Sequence, residues 1–98
     1  MSFADLITED RRLCMLRLLK DAPGYAVNTI VLKAAVQSLG HRCSTDQVRS
    51  DAAWLEEQGL VHVERLEGVW VLTARRRGLD VAVGEAVVPG VKRPEPGE

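Results

Sequence analysis

The chain has no apolar run longer than four residues, as at Leu13–Leu16, whereas a membrane-spanning helix needs roughly 20. No membrane span is expected, and Met1-Ser2-Phe3-Ala4 lacks the basic and apolar regions of a signal peptide. Cysteine is scarce: Cys14 and Cys43 are the only two, far apart and outside a Cys-x-x-Cys spacing. A disulfide scaffold is excluded, and free thiols in a reducing compartment, the cytoplasm, are expected. Neither sign of charge is in excess, since 13 Lys and Arg face 14 Asp and Glu for a formal net charge of −1. A globally basic nucleic-acid binder is therefore excluded, and any such binding must come from local patterning. Catalytic arrangements are missing as well. Without a Gly-rich phosphate loop, a His-Glu-x-x-His or a nucleophile elbow, the sequence gives no reason to expect an enzyme, a catalytic residue or a cofactor.

What is present suits one small domain. The 98 residues are 46% hydrophobic and 28% charged, enough for a thin core. Residues 1–87 are expected to form that domain and 88–98 an extended, mobile tail rich in Pro and Gly. Ser2 followed by Asp5 reads as a capping box opening a first helix to about Lys20. Leu13, Cys14, Met15, Leu16, Leu18 and Leu19 nearly encircle that helix, and only Arg17 interrupts the ring. Such a helix is either central to the domain or partly a dimer surface, and a homodimer through it and the terminal helix is expected.

Asp21-Ala22-Pro23-Gly24 stops the helix. Asn28 then caps a second one, about Thr29–Leu39, with Leu32, Ala35, Val36 and Leu39 on one face and Gly40 closing it. After a short turn, Ser44 or Thr45 caps a third helix through Gln58, with Val48, Ala52 and Leu55 at core spacing and Gly59 as its stop. Beyond Gly59 the period changes. Leu60 to Leu66, the Glu67-Gly68 turn and Val69 to Leu72 predict a two-stranded hairpin, with His62 facing outward by alternation. Thr73 offers a cap for a short final helix, about Ala74–Val83, which the interior Gly78 weakens by ~1 kcal/mol relative to Ala.

An α+β, mostly helical fold follows, and its layout is that of a winged helix-turn-helix domain: three helices, a two-stranded wing, a short C-terminal helix and an extended tail. The stretch from Ser44 to Val61, with Gly59-Leu60-Val61 leading into the hairpin, resembles the third helix of winged-helix regulators. Ile7-Thr8-Glu9-Asp10-Arg11-Arg12 and Val88-Pro89-Gly90-Val91-Lys92-Arg93-Pro94 narrow the likeness to small, ArsR-like winged-helix proteins of Mu-like phages and prophages. The resemblance implies a phage-encoded, DNA-binding transcriptional regulator working on double-stranded DNA in the cytoplasm of a bacterial host. In such folds the third helix enters the major groove and the hairpin tip touches the backbone. Gln47, Arg49 and Ser50 would then read bases, while Arg42, Arg65, Arg75, Arg76 and Arg77 would hold phosphates, with Lys33 nearby.

The third helix itself pulls the other way. Its outward stripe carries Asp46, Ser50, Ala53 and Glu57, and Asp51 and Glu56 add two more acids, which oppose binding to a polyanion. The near-zero net charge thus resolves into an acid-rich third helix and an arginine periphery. A second expectation is a protein-interaction module that docks a phage or host protein through that acidic helix, Trp54 or the tail. Trp70 reads as core. His41 and Cys43 could meet Cys14 or His62 around a metal, but the paired cysteines of such sites are missing, so no metal is expected.

Overall fold

Ser2 opens the first helix as its spacing predicts. Its hydroxyl accepts from the Asp5 amide at 3.1 Å, and the Asp5 carboxylate accepts from the Ser2 amide at 3.1 Å. The computed structural model describes residues 1–95, so that Pro96 and Gly97 of the expected tail lie outside the described residues. Helix α1 spans Phe3–Asp21, and a single 3-10 turn at Pro23–Tyr25 follows it. Strand β1 (Ala26–Asn28) leads into α2 (Thr29–Ser38), whose first turn is capped by Asn28 Oδ1 accepting from the Val31 amide at 2.9 Å. Helix α3 (Thr45–Glu57) begins with a second capping box, Ser44 with Gln47. Strands β2 (Val61–Leu66) and β3 (Val69–Ala74) form an antiparallel hairpin, and α4 (Arg76–Ala82) closes the sequence of elements.

The sheet has three strands rather than two, in the order β1-β3-β2 and antiparallel throughout. Three residues are too few for a period-2 pattern to declare itself, so β1 is invisible until β3 supplies its partner, Val27 opposite Leu72. The same pairing corrects the start of the last helix. Thr73 lies opposite both Ala26 and His62, and Ala74 opposite Val61, so both residues belong to the sheet and Thr73 caps nothing. Gly78 is likewise no simple weakness. A Cβ there would overlap the Leu60 carbonyl, which also accepts from the Arg75 amide at 2.9 Å, so only glycine lets α4 lie this close to the start of β2.

The core answers the question posed by the apolar ring of α1. Leu13, Met15, Leu16 and Leu19 are all fully buried, together with Leu32 and Val36 of α2, Val48, Ala52 and Leu55 of α3, and Leu60, Val61 and Leu72. At about 1.5–3 kcal/mol for each such side chain, these residues supply most of the driving force. Helix α1 is the central element, packed on α2, α4 and β3, and its middle turns are consumed by the chain's own fold rather than offered to a second copy. The segment expected to trail away is docked too. Val88 and Val91 join the core, the Lys92 amide donates to the Glu9 carbonyl at 3.1 Å, and Pro94 rests on Gly84. Composition announces the turns in this strap, but only burial of its two valines explains where it lies. Among the described residues no helix is long and apolar enough to cross a membrane.

Candidate functional site

The surface formed by α3 and the hairpin carries most of the residues singled out by sequence, and the acids of α3 decide its character. Asp51 does not face solvent. It sits on the core side between Val48 and Leu55 with 2% exposure, accepting from Arg11 Nε at 2.5 Å and Arg12 Nε at 3.1 Å. Two arginines of α1 therefore neutralise an acid of α3. Arg12 also lies over the Trp54 ring, 3.9 Å from its centroid, and donates Nη1 to the Gly90 carbonyl at 3.1 Å. Trp54 is thereby half-buried, with Arg12 and the strap against its ring, so only part of it is open as the contact surface expected from sequence.

Glu56 is also engaged. Its Oε1 accepts from Arg65 Nη1 at 3.0 Å and its Oε2 from the Val63 amide at 3.1 Å, so both oxygens hold β2 against α3. The Arg65 hydrogen bond first, then the Val63 amide, keep this carboxyl below the usual glutamate range. The acid-rich helix and arginine periphery inferred from sequence are thus, in part, each other's partners. Asp46 and Glu57 remain exposed, with Ser50 exposed between them and Ala53 half-buried.

Trp70 joins the hairpin to α3. Arg65 lies 4.6 Å and Arg49 5.3 Å from its ring centroid, and the Trp70 amide donates to Thr29 Oγ1 at 3.2 Å. The indole is half-buried, packed on the core on one side and against guanidinium groups on another, so it is a joint as well as a core residue. Arg49 Nη2 points at the Gly68 carbonyl across 3.4 Å, while its Nε is buried without a hydrogen-bond partner. Arg49 thus lies between helix and hairpin tip rather than projecting freely from α3.

The remaining candidates fall into two groups. Arg42 is exposed in the loop before α3, where Lys33 Nζ reaches Thr45 Oγ1 at 3.3 Å. Gln47 is exposed, with its side-chain oxygen committed to the Ser44 amide and its Nε2 left as a donor. Arg75, Arg76 and Arg77 are exposed at the other end of the hairpin, since Ala74 pairs with Val61 whereas Trp70 pairs with Arg65. Four residues of strand separate the groups, or about 13 Å. Arg75 Nε leans on the Val61 carbonyl at 3.4 Å, and Arg76 pairs with Asp80 at 3.5 Å. The structure brings Arg49 and Arg65 together and keeps Arg75, Arg76 and Arg77 apart from them.

Sequence reasoning missed Arg11 and Arg12 as partners of α3. The signal was present: Asp51 falls within the core stripe of Val48, Ala52 and Leu55, and a charge at such a position needs a counter-charge. The histidines and cysteines do not converge. His41 Nε2 is 2.7 Å from Asp10 Oδ2, His62 is exposed on β2, and both thiols are free, with pKa values raised chiefly by burial. Among the described residues no three His, Cys, Asp or Glu side chains cluster as a metal site.

Comparison with known proteins adds setting. The chain is 50% identical over 92 residues to gp26 of Escherichia phage Mu, an uncharacterized protein, covering 94% of this chain and 95% of that one. It is 45% identical over 80 residues to an uncharacterized protein of Haemophilus influenzae strain Rd, covering 81% and 78% respectively. No protein-family model matches the chain. No solved structure matches it either.

Proposed function

The chain belongs to the family of small proteins that includes gp26 of phage Mu, and from that premise we propose that it is a winged helix-turn-helix protein that binds double-stranded DNA and regulates transcription in the host cytoplasm. The element order supports the reading: a short turn joins α2 to α3, and the β2–β3 hairpin follows, where a wing would lie. The observation that carries it is the internal pairing of Asp51 with Arg11 and Arg12 and of Glu56 with Arg65. Two of the acids that argued against a groove-facing α3 are neutralised within the protein, so the electrostatic objection shrinks to Asp46 and Glu57. Ser50 and the Gln47 amide would read base edges, and Arg42, Arg75, Arg76 and Arg77 would contact phosphates. Arg49 and Arg65 would chiefly fix the wing against α3 and turn their remaining donors to the backbone.

A mobility-shift assay against fragments of Mu-like phage DNA tests the reading. A retarded species that weakens as salt rises is expected. No shift at low ionic strength rejects it.

A second reading, docking of a phage or host protein, draws on a different observation. Asp46 and Glu57 are exposed on α3, and Ile30, Val31 and Leu39 of the adjoining α2 region are 67%, 54% and 60% exposed. In that case the double change Asp46→Lys, Glu57→Lys abolishes a complex co-purified from infected cells. Under the DNA reading the same change tightens DNA binding.

A further inference from the structure

The capping box that opens α3 uses up half of a side chain on the candidate DNA surface. Gln47 Oε1 accepts from the Ser44 amide at 2.9 Å, while the Gln47 backbone amide donates to Ser44 Oγ at 3.1 Å. A glutamine reads adenine with both ends of its side chain, the oxygen accepting from N6 and the nitrogen donating to N7. With its oxygen held at the helix terminus, Gln47 offers a base only the two donors of Nε2. Adenine is then a poor match. Guanine, whose N7 and O6 both accept, takes these donors and asks for no acceptor in return.

Beside Gln47 stands a group of the opposite kind. Asp46 is exposed, and among the described residues no hydrogen bond or ion pair engages its carboxylate. An ionised carboxylate only accepts, and the base it matches in the major groove is cytosine, whose N4 amino group donates. Adenine N6 also donates, but the N7 acceptor next to it turns a lone pair toward the same carboxylate. Successive helix residues lie about 100° apart, so Asp46 and Gln47 sit side by side in the first turn of α3, with Ser50 about one turn further on. In helix-turn-helix docking this N-terminal part of the second helix meets the base edges. Glu57, the other exposed acid, is the last residue of the helix.

We infer that the first turn of α3 selects G·C pairs, with Gln47 Nε2 donating to guanine and the Asp46 carboxylate accepting from cytosine N4. The inference rests on the DNA reading above and deepens it by naming the base pair. An acid near a polyanion weakens binding to every sequence, and it does so least where a base donor meets it. Asp46 is thus a specificity-determining residue, lowering affinity in general and lowering it more for the wrong base. Ser50, whose hydroxyl both donates and accepts, discriminates less.

Selection by the full chain from a duplex pool randomised over about one helical turn, followed by anisotropy of single-pair variants of the selected duplex, tests the inference. At least one G·C pair is expected whose replacement by A·T weakens binding about tenfold or more. Asp46→Ala should bind the unselected pool more tightly than the parent while that penalty shrinks. Gln47→Glu keeps an oxygen for the Ser44 amide and removes both donors, so the penalty should shrink there too while the helix stays capped. Replacing the guanine by 7-deazaguanine, which lacks the N7 acceptor, should weaken binding by the parent and leave Gln47→Glu unaffected. Both side chains are exposed, and thermal melts of each variant should match the parent, which separates lost readout from lost folding. A selected site indifferent to G·C replacement, or a penalty that survives both changes, overturns the inference and leaves the DNA reading standing. No binding to the pool at low salt overturns both.

Discussion

Replacing Asp51 by alanine should cripple the fold although it deletes only a small side chain. The Asp51 side chain is 3% exposed and that of Arg11 7%, and they meet at 2.5 Å. Removing the carboxylate leaves the Arg11 guanidinium enclosed by protein without its counter-charge, while Arg12 keeps Trp54 and the Gly90 carbonyl. Breaking a buried pair in this one-sided way costs about 3–5 kcal/mol. At 1.4 kcal/mol per factor of ten, the unfolded fraction rises about 100- to 4,000-fold. For a domain of this size the same loss lowers the melting temperature by about 12–40 °C.

Urea unfolding followed by far-UV circular dichroism measures it, with Asp46→Ala on the same helix as the exposed control, expected within about 0.5 kcal/mol of the parent. The double replacement Arg11→Met, Asp51→Leu should recover part of the stability, because the enclosed Arg11 charge goes together with its partner, while Arg12 loses a carboxylate and keeps the Gly90 carbonyl and the Trp54 ring. An Asp51→Ala protein within about 1 kcal/mol of the parent would show that the pair is not enclosed and return Asp51 to the surface charge of α3.

Gly78→Ala should destabilise by about 1–3 kcal/mol despite alanine's better helix propensity, because its Cβ must push α4 off the Leu60 carbonyl. A neutral or stabilising result in a thermal melt would contradict the close approach. Glu56 gives a pH signature. Its folded-state pKa lies below the ordinary value of 4.5, so its stabilising contribution is present above the ordinary range and is lost as pH falls through the depressed value. Glu56→Gln should therefore be less stable than the parent near neutrality, and the gap should narrow in acid. An unchanged gap across urea midpoints from neutral to acidic pH would remove Glu56 from the α3–β2 joint.

The local grammar of the fold is legible in the sequence because its causes are local. Ser2 with Asp5, Asn28 and Ser44 are caps that act within one turn, and Gly40 and Gly59 stop the helices they follow. The hairpin is announced by Glu67-Gly68 between apolar strands, and His62 faces outward as alternation requires. What escapes depends on residues distant in sequence. Strand β1 is defined by β3, more than 40 residues away; Asp51 is defined by Arg11 and Arg12, 40 and 39 residues away. The partial burial of Trp54 depends on Gly90, and the strap's position on where two valines find a core. The candidate site is therefore legible as a set of residue types on α3 and the hairpin, but its charge is not. The sequence displays every acid and base without showing which of them are already paired.

Whether the α3–hairpin surface meets DNA is decided by fluorescence anisotropy of a labelled duplex titrated at several NaCl concentrations, about 20–200 mM. Affinity should fall linearly on logarithmic axes. The triple change Arg42→Ala, Arg76→Ala, Arg77→Ala should flatten that slope by about 0.9 for each phosphate no longer neutralised, and Asp46→Lys, Glu57→Lys should tighten binding. Absence of saturable binding at the lowest salt, or a slope indifferent to the three arginines, would rule out DNA as the partner of this surface.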